Sequence, residues 1–253
     1  MLSKLPIKLP EQDKAFMFIR GTHEVDGIDL SPAEINATYK GKIQNPYADG
    51  HLQAINYIFN LLDKEQFPAH SYSMLTNRFK SNMALHWLRD LHSLITTPIL
   101  NSPINTDPAN LQPILRSQIG TYRVTDAMNA FSLCPPPNLI PKILHNWLLD
   151  ITRLNEETME KISKPFGISR KDAMNLEKTS HETLMMFVTV QPFSVANNRL
   201  GRLVENALRL QWRLPWKVTA KNEEYEQYTM NLATFQKETL PILVRKAKEL
   251  PML

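Results

Sequence analysis

Glycine is scarce in this sequence: there are seven in 253 residues, where a share of roughly 7% is usual. Phosphate-cradling loops and hairpin-rich β architectures both draw on glycine for positive-φ backbone. The shortage, beside eighteen prolines, points to helices joined by Pro-containing loops. Neither G-x-G-x-x-G nor G-x-x-x-x-G-K-[ST] occurs, which removes the commonest nucleotide-binding fingerprints. Cysteine is nearly absent. Cys134 alone makes no internal disulfide and no Cys-based zinc site, and it fits a reducing compartment. Long apolar runs are missing too: Leu184 to Val190 is the most apolar unbroken stretch and is too short to span a bilayer. Met1 to Pro10 lacks the apolar core of a signal peptide. The net charge of +4 is spread along the chain. No basic stripe interleaves with aromatics as in nucleic-acid readers, the nearest candidate being Arg245, Lys246 and Lys248. The expectation is a soluble, cytoplasmic protein without membrane or nucleic-acid partners; export by a signal-less route stays open.

What is present is helical periodicity. Residues 1–15 read as a loose leader, and 16–27 as mixed. Ser31-Pro32-Ala33-Glu34 then supplies an N-cap, a first-turn proline and the third-position acid of a capping box. His51 to Leu62, residues 72–95 and the stretch after Pro135-Pro136-Pro137 (Ile140, Ile143, Leu144, Trp147, Leu148, Ile151) carry apolar side chains at helical spacing. Further helices are expected at about 170–190 and 198–213, and a last one over 222–247, interrupted near Pro241. Thr96 to Leu111 reads as loop. Strand material is confined to 114–134, around Thr121-Tyr122-Arg123-Val124.

The informative segment is Gln191-Pro192-Phe193-Ser194-Val195-Ala196-Asn197-Asn198-Arg199-Leu200-Gly201-Arg202. Pro192 should end the preceding helix. After a polar turn a new helix starts near Asn197 or Asn198, with Arg199 and Arg202 three apart on one face. A helix N-terminus offers unpaired N–H groups and the positive end of the dipole. Two arginines beside it make an anion site suited to phosphates. The competing reading is structural: Asn197 caps the helix and the arginines pair with carboxylates or tie the loop to its neighbours.

This segment resembles the signature of the Fic family, H-P-F-x-[DE]-G-N-G-R-x-x-R. Pro192, Phe193, Asn197, Arg199, Gly201 and Arg202 stand where that pattern expects them. Gly120-Thr121-Tyr122-Arg123 followed by Pro135-Pro136-Pro137 is similar to the family's flap segment, and Leu88-Arg89-Asp90-Leu91-His92 to its L-x-x-L-H helix. The resemblance implies an all-α Fic-type helical domain with a small β-hairpin-like flap. It also implies transfer of AMP, or another phosphate-bearing group, from a nucleotide to a protein hydroxyl. The flap at 121–134 would dock the protein partner. Thr22-His23-Glu24-Val25-Asp26-Gly27 resembles the family's inhibitory motif, with Asp26 in place of its Glu. The resemblance implies that Asp26 pairs with Arg202; a plain turn at Asp26-Gly27 is the alternative.

The departures bear on mechanism. Gln191 stands where the family has its general-base histidine, and an amide has no usable basicity near neutral pH. Val195 replaces the acidic residue that holds Mg²⁺, and an isopropyl group ligates no hard cation. Ala196 and Asn198 replace glycines. Asn197, Asn198, Arg199 and Arg202 remain as a candidate site for ATP or another anion. His181 lies about three turns, or ~15 Å, before Gln191 and is a poor substitute base. The expected organisation is an extension over 1–40 with the inhibitory-type Thr22 and Asp26, a Fic-like domain over 41–217, and a helical segment over 218–253. The expected function is that of a degenerate member acting by protein binding or regulation. An active transferase using an altered route, and an anion sensor gated by Arg199 and Arg202, stay open.

Overall fold

A computed structural model describes residues 11–64, 67, 85–107, 112–129, 133–163, 168–218 and 224–249. The chain runs α1 (Gln12–Val25), α2 (Pro32–Tyr39), α3 (Pro46–Asp63), α4 (His86–Leu100), β1 (Thr106–Asp107), β2 (Gln112–Pro113), α5 (Ile140–Ile162), α6 (Arg170–Val190), α7 (Asn197–Gln211), α8 (Glu224–Glu238) and α9 (Leu240–Glu249). Short 3₁₀ turns lie at Arg116–Gln118 and Pro137–Leu139. The architecture is helical, with one antiparallel pair among the described residues, in which Thr106 faces Pro113 and Asp107 faces Gln112. Among the described residues no helix is long and apolar enough to cross a membrane.

Local chemistry sets the helix ends. Ser31 and Glu34 form the expected capping box, the Ser31 N–H donating to Glu34 Oε2 at 2.9 Å and the Glu34 N–H to Ser31 Oγ at 3.2 Å. Ser169 and Asp172 make a second box at the start of α6. There the Ser169 hydroxyl, joined by the Lys161 ammonium, holds the Asp172 carboxyl at about 2. Asn45 caps α3 by accepting from the Tyr47 and Ala48 N–H groups.

Helices α6 and α7 form an antiparallel hairpin at the centre, packed along their lengths. Every residue from Leu184 to Val190 is buried, as is every residue from Arg199 to Arg209. A helix hydrophobic or buried all round is a core helix, and the other elements wrap this pair. The apolar face expected for α5 is buried, from Ile140 through Ile151. Helices α3 and α4 cross so closely that a Cβ on Gly50 would lie 3.0 Å from the Ile95 backbone.

Three expectations shift. Residues 12–25, read as leader and mixed sequence, form α1, which buries Phe16, Phe18 and Ile19 together with polar Thr22 and His23. Helix α4 continues through Pro98 to Leu100 instead of ending at Ile95, because proline removes only one ladder bond and the buried Ile95 and Ile99 keep the turn packed. The first strand of the two-stranded pair falls in the segment read as loop and the second just after it, whereas the described flap residues form only isolated bridges, Met128 with Leu133 and Tyr122 with Phe193 of the loop. The last helix is interrupted as expected, dividing at Thr239 into α8 and α9, two residues before Pro241. The first part of the helix expected over 72–95 lies outside the described residues.

Candidate anion-binding site

The loop between α6 and α7 begins with a left-handed residue. Gln191 sits at φ +44°, ψ +66° and closes α6 with its N–H on the Phe187 carbonyl at 3.0 Å. Its side chain is half-buried. The last carbonyls of a helix need outside donors, and Arg123 supplies them. Its Nε donates to the Gln191 carbonyl at 2.7 Å and its Nη2 to that of Val190 at 3.2 Å. The same guanidinium reaches the Thr125 and Pro135 carbonyls, and the Arg123 N–H donates to the Pro192 carbonyl at 3.0 Å. Arg123 thus joins the flap to the loop, beside the Tyr122 ring, whose centroid lies 5.2 Å from that of Phe193.

Phe193 turns inward and stacks on His92, ring centroids 4.1 Å apart and planes 10° from parallel. His92 Nδ1 accepts from the Gly120 N–H at 3.0 Å, which leaves Nε2 to carry the proton donated to the Val195 carbonyl at 3.2 Å. Burial pushes its pKa down to about 3. His92 is therefore a neutral structural strut with a fixed tautomer. Asn197 does not cap α7: its amide reaches back, Oδ1 accepting from the Phe193 N–H at 3.0 Å and Nδ2 donating to the Phe193 carbonyl at 2.8 Å. Both ends of that amide are spent on the loop. Asn198 accepts from the Tyr228 hydroxyl on α8 at 3.2 Å.

Ala196 precedes α7 in a left-handed conformation, φ +62°. Its methyl group carries the Cβ strain of that region, about 1–2 kcal/mol. Gly201 is required by space, since a Cβ there would lie 2.9 Å from Leu184 Cδ1 and 3.0 Å from Phe187 Cβ.

The two arginines are buried. Arg199 is 0% exposed, with Nη2 2.6 Å from Asp107 Oδ1 and Nε 3.3 Å from Asp26 Oδ2. The Asp26 contact is an ion pair without hydrogen-bond alignment. Arg202 donates from Nη1 to the Thr22 carbonyl at 3.4 Å. The expected pairing of Asp26 with Arg202 is therefore corrected: the ion pair is made with Arg199, one turn earlier, and Arg202 meets the backbone of Thr22. Burial raises the Asp26 carboxyl above its ordinary range, against the pull of Arg199 and then Arg202. Behind this cluster, His23 Nε2 and His51 Nδ1 lie 3.0 Å apart, both buried, and desolvation keeps both rings neutral, His51 at about 3.

Asp107 is a partner that the sequence pattern does not reveal. It lies on β1, is 1% exposed, and its Oδ2 also accepts from the Ala196 N–H at 3.4 Å. Nothing in the Thr96–Leu111 segment marks one aspartate as special. Only the long-range fold brings it to the start of α7.

The donor set does not fit a divalent cation. Val195 offers no oxygen from its side chain, and its carbonyl is engaged by His92. Among the described residues no three His, Cys, Asp or Glu side chains cluster as metal ligands. His181, on α6, is tied to Glu205, Lys217 and Asn231 rather than to the loop.

A helical hairpin whose loop, second-helix arginines and flap are arranged this way defines a Fic-type domain, and the chain has that fold. Solved structures bear this out. A fragment of Fic-1 from C. elegans superposes with a TM-score of 0.54 over 97% of this chain and 64% of its own length, at 14% identity. A Fic domain-containing signaling protein from Bacteroides thetaiotaomicron gives 0.50 over 96% of this chain and 89% of its own, at 12% identity. A Fic family protein from Desulfovibrio desulfuricans gives 0.50, with 98% and 66% covered and 15% identity. The chain thus spans slightly under two thirds of the Fic-1 fragment. No family model matches the sequence, and no curated protein matches it.

Proposed function

We propose that this chain is a degenerate Fic-fold protein that lacks ordinary AMP transfer and works by binding or regulating a protein partner. The reading is carried by one observation, that Arg199 is engaged by two carboxylates of the same chain, and is supported by the resemblance, which puts Gln191 where the family has its proton acceptor. Loss of a general base typically costs about 10²–10⁴-fold in rate, and loss of a cation ligand compounds it. The bridged flap residues Met128 and Leu133, each 73% exposed, support a docking role, because adjacent apolar side chains left in water mark interaction surfaces.

Incubation of the wild-type chain with labelled ATP and other nucleotide donors, scoring self-labelling and labelling of added proteins, tests the reading. No incorporation is expected. Labelling at an ordinary enzymatic pace would establish the alternative, an active nucleotidyl transferase using an altered route. A triple variant, Gln191→His with Val195→Asp and Ala196→Gly, regains labelling if only the chemistry has been lost.

A further inference from the structure

We propose that Asp107 is a tethered anion: its carboxylate takes the place that a phosphate group would take at the start of α7, and it keeps the loop closed to phosphate-bearing ligands. The inference rests on the reading of this loop as a former phosphate site, given above, and adds the element that now fills it.

Three observations converge. Asp107 makes the two contacts expected of a bound phosphate oxygen pair, one to the Arg199 guanidinium at 2.6 Å and one to the backbone N–H of Ala196 at 3.4 Å, just ahead of the first turn of α7. These donors, a helix-start N–H and an arginine, are the usual anion cradle. Second, the cradle has donors to spare: Arg199 Nη1 and Arg202 Nε are buried with no hydrogen-bond partner. A carboxylate has two oxygens and a phosphate three or more, so a residual unspent donor is what a smaller substitute leaves behind. Third, the charges balance. Asp26 and Asp107 offset Arg199 and Arg202, all four of them buried. An incoming phosphate would add uncompensated negative charge to a water-excluded site, where charge without a partner is strongly disfavoured. Asp107 lies on the short pair β1–β2 that joins α4 to the flap, not on either helix of the motif. The plug is therefore held by an element that can be altered separately from the loop.

Pyrophosphate is the probe, read by titration calorimetry and by thermal unfolding against sodium chloride at equal ionic strength. Wild type is expected to show no saturable heat and no stabilisation beyond that of chloride. Asp107→Asn removes the charge, keeps the shape, and is expected to bind pyrophosphate at least tenfold more tightly than wild type, with saturable thermal stabilisation. Asp26→Asn leaves Asp107 on the Ala196 N–H and is expected to remain closed, which separates displacement of a plug from a mere gain in positive charge. A folded Asp107→Asn variant without pyrophosphate binding would overturn the assignment. So would equal binding by Asp26→Asn, or saturable binding by wild type, the last holding even where Asp107→Asn fails to fold. If Asp107→Asn unfolds and refolds only with pyrophosphate, the plug is upheld; if pyrophosphate gives no rescue beyond chloride, it is overturned. None of these outcomes depends on nucleotide transfer: wild-type pyrophosphate binding without labelling by ATP would sink the plug and leave the functional reading standing.

Discussion

His92 and Phe193 lie face to face, ring centroids 4.1 Å apart, and this stack fastens the loop to α4. The imidazole also satisfies two buried backbone groups, the Gly120 N–H and the Val195 carbonyl. Replacement by phenylalanine would keep a ring and lose both hydrogen bonds. Each buried group left without a partner costs about 1–3 kcal/mol. His92→Phe should therefore lower unfolding free energy by ~2–5 kcal/mol in urea titrations; a change within about 0.5 kcal/mol would show that the stack alone is what matters.

Acid should unfold this protein early. His51 and His92 have folded-state pKa values of about 3, and His23 is also held well below 6.5, in each case chiefly through desolvation by burial. Because the folded pKa lies below the unfolded one, the unfolded chain binds more protons. Their contribution is complete above about pH 6.5 and is lost as the pH falls toward about 3. Each such histidine removes ~1.4 kcal/mol per pH unit in that window. Stability measured from pH 7 to 4 should fall with a slope of at least two protons, and His92→Phe should lower that slope by about one proton.

Gly201 sits where α6 and α7 cross. A Cβ would press on Leu184 Cδ1 at 2.9 Å and Phe187 Cβ at 3.0 Å. Overpacking of this kind costs about 1–3 kcal/mol. Gly201→Ala should lower the thermal midpoint despite alanine's better helix propensity, which favours the variant by only about 1 kcal/mol. A raised midpoint would mean that the helices separate easily.

Ala196→Gly should do the opposite. At φ +62° the methyl group is strained, and its removal should raise unfolding free energy by about 1 kcal/mol, part of the relief being returned as chain entropy in the unfolded state. Equilibrium denaturation compares the two. A loss of stability would show that the methyl group's packing outweighs the strain.

Much of this architecture is legible in the sequence where one residue type dictates one local geometry. The Ser31 and Glu34 capping box, the stop at Pro192 and the apolar spacing of α5 are such cases. Helix α1 was hidden because its buried face mixes Phe18 and Ile19 with Gly21, Thr22 and His23, which blurs the apolar period, and because Glu11 makes no side-chain cap. The arginines are legible as a pair and Asp26 as a carboxylate partner, but not which arginine Asp26 meets, nor Asp107 at all. Asp26 is set by the docking of α1, and Asp107 lies 92 residues from Arg199. A long-range ion pair leaves no periodic trace in a single sequence.

Arg123 couples two parts of the molecule that would otherwise move apart. One guanidinium serves carbonyls at Val190, Gln191, Thr125 and Pro135, so swinging the flap outward would strip the final turn of α6 of its donors at once. The flap is thus no hinged cover. Whatever grips its outer apolar edge pulls on the same knot that sets the position of Gln191.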